Sequence, residues 1–131
     1  MGGHDLGELL AAMSPELRPA RLVFVTVATG TALPASVEVV ASVREDEGLS
    51  VVVDAEQARE HGLGGEFPCA WITLRVRSAL DAVGFLAVVT SALAEAGIST
   101  NAVAGFHHDH LFVPWSRRHE AMDVLHGLAR S

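Results

Sequence analysis

His107, His108, Asp109 and His110 form the densest group of metal-ligating and proton-transferring side chains in the chain. Neutral imidazole and carboxylate are good ligands for a first-row divalent metal, and three of them would leave a coordination position open. Neighbouring residues on a strand point to opposite faces, so only His108 and His110 share a side unless the chain bends there. The plainer reading is a polar hairpin tip in which Asp109 bonds to its own backbone. A divalent metal is the one cofactor these residues would take.

A second chemistry belongs to Ser78–Gly84, a turn that opens a helix. The first N–H groups of a helix have no intrahelical acceptor, and with the helix dipole they suit a carboxylate or phosphate. Gly84 removes a side chain where a ligand or backbone could approach closely. Asp81 could accept a ligand ammonium group; alternatively Ser78 or Asp81 simply caps the helix and Gly84 permits tight packing. Asn101, among small residues on the following strand, could hydrogen-bond a ligand, a paired strand or backbone at a strand edge.

Catalytic patterns are missing. Ser, His and Asp all occur, but no G-x-S-x-G elbow does. Glu45, Asp46 and Glu47 read as a solvated helix end, and His4, His61, His119 and His126 are scattered. The chain is expected not to be an enzyme.

Composition narrows the partners. Net charge is −7, all nine basic residues are arginine, and no cationic stripe forms, which disfavours nucleic acid. The single cysteine, Cys69, excludes an intrachain disulfide and a cysteine metal cluster, and its apolar strand context predicts a buried, inert thiol. Half the residues are hydrophobic, which excludes disorder and leaves apolar surface for self-association. No apolar run approaches a membrane span, and residues 1–13 lack the pattern of a signal peptide, so a soluble cytoplasmic protein is expected.

The elements that must position these residues follow from periodicity and caps. Asp5 and Glu8 form a capping box for a short helix through Met13. Residues 22–28 read as a strand covered on both faces. Residues 37–47 are ambiguous in period, but Arg44-Glu45-Asp46-Glu47-Gly48 looks like a helix terminus. Residues 49–53 are a strand, and Asp54 with Gln57 caps a short helix ending at Gly62. Residues 62–68 form the most loop-like middle stretch. Residues 70–77 alternate, with Ile72, Leu74 and Val76 on the core face and Trp71, Thr73, Arg75 and Arg77 on the other. A long helix over 81–96 carries Ala82, Leu86, Val89, Leu93 and Ala96, widened by Phe85 and Val88. A hairpin of 98–106 and 110–113 and a closing helix over 117–129 complete the chain.

The predicted order is β-α-β-α followed by β-α-β-β-α. The second half lacks only a final strand of a ferredoxin-like βαββαβ unit, a place that a strand of the first half, or of another copy, could fill.

Ser78-Ala79-Leu80-Asp81-Ala82-Val83-Gly84-Phe85-Leu86, continuing through Ala96-Gly97-Ile98-Ser99-Thr100-Asn101, resembles the ACT domain signature. The segment Ala104–Pro114, with Arg44–Ser50 in the first half, is similar to small bacterial proteins of uncharacterised function with tandem ACT-like halves. The resemblance implies an α/β sandwich of intertwined subdomains: an N-terminal helix and turn at 1–20, one half at 21–66 and another at 67–131. It also implies a regulatory module that binds amino acids or similar metabolites, with Ser78, Asp81, Val83, Gly84, Phe85, Asn101 and His108 as ligand contacts. A homodimer or higher homo-oligomer through sheet edges and helix 81–96 is expected. In a ferredoxin-like unit the hairpin tip and the Ser78–Gly84 turn lie at one end of the sheet, so Asp81 and the histidine cluster are predicted to line one pocket. Metal binding through residues 107–110, and an oligomerisation module without ligand, are the alternative functions.

Overall fold

The computed structural model describes residues 3–130. The chain divides into two compact units, Ala20–Cys69 and Met1–Pro19 with Ala70–Ser131. Two strands, β1 (Pro15–Val27) and β4 (Glu66–Leu74), have residues in both units.

In the unit Ala20–Cys69 the neighbouring strands are β2 (Val39–Glu45), β3 (Gly48–Asp54), β1 and β4, in that order. β3 pairs antiparallel with β1 from Leu22↔Asp54 to Val27↔Leu49, and β2 pairs antiparallel with β3 from Val39↔Val53 to Glu45↔Gly48. Val23, Val25, Val27, Val37, Val51, Val53 and Ala58 form the core. Helix α2 (Ala55–Glu60) is capped by the Asp54 side chain, which accepts from the Gln57 N–H at 3.0 Å.

The helix terminus expected at residues 44–48 is instead a tight hairpin turn. Glu45 pairs with Gly48 and only Asp46 and Glu47 remain between the strands. Gly48 has φ +149°, and a Cβ there would run into the Val27 carbonyl oxygen. Glycine is therefore needed for strand packing, not to stop a helix. The first half carries three strands and one helix before β4, where β-α-β-α was expected.

In the other unit the strand order is β1, β4, β6 (Asp109–Pro114) and β5 (Asn101–Ala104). The chain runs β4, α3 (Phe85–Glu95), β5, β6, a short 3₁₀ turn (Trp115–Arg117) and α4 (Arg118–Arg130). The β1 segment beside β4 supplies the strand that the βαββα run lacks, and this gives the tandem ferredoxin-like architecture. Helices α1 (Leu6–Ala11), α3 and α4 share a core with the sheet: Leu9, Ile72, Leu74, Phe85, Val89, Leu93, Leu111, Val113 and Leu125 are all buried in it. Asp5 caps α1 through the Glu8 N–H at 2.9 Å. Arg117 reaches back to the carbonyls of Ala96 and Gly97 at 3.0 and 3.2 Å, satisfying groups at the C-terminal end of α3.

Three boundaries differ from the sequence expectation. β1 begins at Pro15, several residues early, because prolines at 15 and 19 mask a strand pattern. α3 starts at Phe85 and not at Asp81: Gly84 is its N-cap at φ +94°, a left-handed conformation that costs glycine little. Neither Ser78 nor Asp81 caps it, since Gly84 leaves the N-cap with no side-chain hydrogen bond. β5 is confined to four residues, and the loop of residues 105–108 is closed by the Gly105 N–H donating to the His108 carbonyl at 2.9 Å. Among the described residues, no helix is long and apolar enough to cross a membrane.

Candidate functional site

Asp109 opens β6 and sits opposite Ala104 across the hairpin. It is 6% exposed, and its Oδ2 accepts a hydrogen bond from Ser78 Oγ at 2.9 Å. That bond ties the turn before α3 to the base of the hairpin. Beside it lies a cavity of about 130 Å³, lined by Ser78, Ala79, Leu80, Ala82, Gly84, Phe85, Leu86, Ala87, Ala104, Gly105 and Asp109. The only carboxylate in the lining is Asp109. The first intrahelical bond of α3 runs from the Val88 N–H to the Gly84 carbonyl at 3.0 Å, so the N–H groups of Phe85, Leu86 and Ala87 precede it. The cavity thus combines one buried carboxylate, the amide end of an eleven-residue helix and apolar walls.

The turn is held from outside by the N-terminal segment. The Gly3 N–H donates to the Arg77 carbonyl at 2.8 Å, and the Ala79 N–H donates to the Gly3 carbonyl at 2.9 Å. His4 Nε2 lies 2.8 Å from Asp81 Oδ1, and this hydrogen bond is the chief reason the Asp81 carboxyl is held below its ordinary range.

The expectation that Asp81 and the histidine cluster line one pocket is not met: of residues 107–110 only Asp109 lines the cavity, and Asp81 does not. Ser78, Gly84 and Phe85 line the cavity; Asp81 does not, because it faces His4. Val83 is 88% exposed and lies outside the lining, as does Asn101, exposed at the start of edge strand β5. His108 also lies outside it, with its Nδ1 buried and without a hydrogen-bond partner among the described residues.

The residues at 107–110 are not gathered into one centre. His107 Nδ1 lies 2.9 Å from Arg77 Nη2, and its ring meets Phe106 edge-on at 5.1 Å. Asp109 turns to Ser78. On the opposite side of β6, His110 Nδ1 accepts from Trp71 Nε1 at 3.1 Å and lies 3.2 Å from Thr73 Oγ1. Among the described residues, no group of three or more His, Cys, Asp or Glu side chains is placed to hold a metal ion. The physical reason is the strand itself: because 109 and 110 lie on β6, their side chains diverge.

Burial lowers the pKa of His110 below its ordinary value, and the charge of Arg18 adds to the effect. Arg18 stacks over the Trp71 ring at 4.2 Å. Thr73, expected on the open face of β4, is fully buried in this group. Cys69 is buried too, its thiol 3.5 Å from the Leu22 carbonyl and its pKa pushed up to about 12 by desolvation.

Leu80, Ala104 and Gly105 were not singled out as site residues. Gly105 had a visible signal, as the small residue before the hairpin tip; Leu80 and Ala104 had none beyond their place next to named residues.

The ACT domain family matches residues 1–70 and, in a second match, residues 66–127. A crystal structure from Vibrio cholerae, described as a protein of unknown function and possible transport protein, is 42% identical, covers 95% of each chain and has a TM-score of 0.85. A protein from Agrobacterium tumefaciens is 22% identical over 88% of this chain and 87% of its own, with a TM-score of 0.73. The ligand-free regulatory subunit of aspartate kinase from Thermus thermophilus is 13% identical over 89% and 97%, with a TM-score of 0.65, a likeness of fold. No curated protein sequence matches the chain significantly.

Proposed function

The chain belongs to the ACT domain family, and from that premise we propose that it is a regulatory protein that binds a free amino acid in the cavity between Ser78, Asp109 and the start of α3. ACT domains are small-molecule-binding regulatory modules. The observation that carries this reading is the pairing, in one cavity, of Asp109 with the unbonded amide end of α3. The α-ammonium group pairs with the Asp109 carboxylate, and the α-carboxylate takes the amides of Phe85, Leu86 and Ala87. A volume of about 130 Å³ is below the roughly 300–1,000 Å³ of sites for drug-sized ligands, which agrees with a small metabolite. Two neighbours of the same fold are regulatory subunits of aspartate kinase, which supports an amino-acid effector.

The role is binding, not catalysis. The Ser78 hydroxyl donates to a carboxylate and the Cys69 thiol is buried with a raised pKa, so neither is presented as a nucleophile. A cytoplasmic site and a homo-oligomer complete the reading, the latter favoured by β5, an edge strand whose four residues are all exposed.

A melting screen with each of the twenty amino acids tests this, because a ligand of the native state raises Tm with concentration. At least one should raise Tm, and Asp109→Asn should abolish that rise while Asp81→Asn retains it. Absence of any rise at millimolar concentrations, or a rise untouched by Asp109→Asn, would overturn it.

A further inference from the structure

A second cavity, of about 280 Å³, lies within the unit Ala20–Cys69. Its floor is apolar: Val23 and Ala58 are buried and Leu63 is half-buried, with Pro68 beside them. Two guanidinium groups, Arg21 and Arg59, also line it, and no carboxylate does.

The two arginines still have donors to give. Arg59 uses Nε and Nη2 on Glu56, at 3.3 and 2.8 Å, and its Nη1 makes no hydrogen bond among the described residues. The Arg21 side chain makes no hydrogen bond or ion pair among the described residues; its charge contributes only weakly, after that of Arg59, to holding the Glu56 carboxyl below its ordinary range. Glu56 and Glu60 balance the charge of Arg59 from outside, but neither glutamate lines the cavity, so the charged groups facing it are the two guanidiniums. Gly65 brings backbone onto the apolar floor, since a Cβ there would press on the Val23 methyls at 2.9 Å.

We propose that this cavity binds the carboxylate of a small organic acid with a short apolar chain. Guanidinium groups present planar pairs of N–H donors that match a carboxylate. Val23, Ala58 and Leu63 then cover the alkyl chain, whose removal from water adds to the affinity. The site differs in sign from the Asp109 cavity and does not depend on the reading of that cavity. Because the arginines are solvent-exposed, binding is weak and salt-sensitive.

The test is a ¹H–¹⁵N NMR titration of the full chain with sodium butyrate, against sodium chloride and sodium sulfate at matched ionic strength. Saturable shifts of the amides of residues 55–68 are expected, with an apparent Kd on the order of millimolar, as suits an exposed ion pair. Arg21→Gln and Arg59→Gln should each weaken binding by roughly fivefold or more, the loss of one charge-assisted hydrogen-bond partner. Asp109→Asn should leave it unchanged. Both arginines are exposed, so these variants should keep the native spectrum. Non-saturating shifts, equal shifts with sulfate, or binding unaffected by both arginine substitutions would overturn the proposal.

Discussion

Ser78 and Asp109, 31 positions apart, are joined by a hydrogen bond of 2.9 Å from Oγ to Oδ2. It closes the turn before α3 onto the first residue of β6, and so fixes both walls of the candidate amino-acid site. Without it, the Asp109 carboxylate would be buried with one partner fewer.

Ser78→Ala is therefore expected to destabilise the fold by about 1.5–3 kcal/mol, as for a hydrogen bond to a charged group. Urea unfolding followed by circular dichroism measures it. An unchanged midpoint would mean that water replaces the hydroxyl at no cost.

Gly48 should tolerate no side chain. Gly48→Ala combines φ +149° with a clash against the Val27 carbonyl, and is expected to cost more than about 2 kcal/mol. Gly64→Ala, with no neighbouring atom within 4 Å, is the control and should stay within about 0.5 kcal/mol. Their denaturation midpoints compare the two directly.

His110 predicts a pH dependence. Its native pKa is lowered, mainly by burial and then by Arg18, from an ordinary value of 6.5. The unfolded chain therefore binds the proton more readily than the native one. Its contribution is fully present above 6.5 and is lost as pH falls from there through the lowered native value. His110→Gln, which keeps an acceptor for Trp71 Nε1, should lose less stability than wild type between about pH 8 and pH 5. Equal losses in the two proteins would dismiss this role.

Cys69 should resist thiol reagents in the native state. Its burial and its pKa of about 12 leave almost no accessible thiolate at neutral pH. Labelling by a disulfide reagent should be undetectable in buffer and complete in denaturing urea. Prompt labelling of the native protein would mean that β4 opens there.

The capped helices and the second half were legible because their signals are local. Asp5 with Glu8 and Asp54 with Gln57 announced α1 and α2, and the alternation of residues 70–77 announced β4. The hairpin at residues 44–48 was not legible: a charged run before a glycine fits both a helix end and a tight turn, and only pairing with β3 decides between them. Thr73 illustrates the same limit, since alternation placed it on the open face and could not show that His110 would meet it there.

The sequence by itself determined the order β-α-β-β-α of the second half, the buried thiol and the clustering of polar side chains at both ends of residues 78–110. Capping and periodicity depend on near neighbours, so one chain suffices to read them. Only the tertiary structure decided that Asp109, and not Asp81, reaches the cavity. The loop of residues 105–108 sets Asp109 opposite Ala104, and a shift of one residue would have turned His108 or His110 to that side instead. Register is a relation between strands, and it assigned the carboxylate to the cavity and the imidazoles elsewhere.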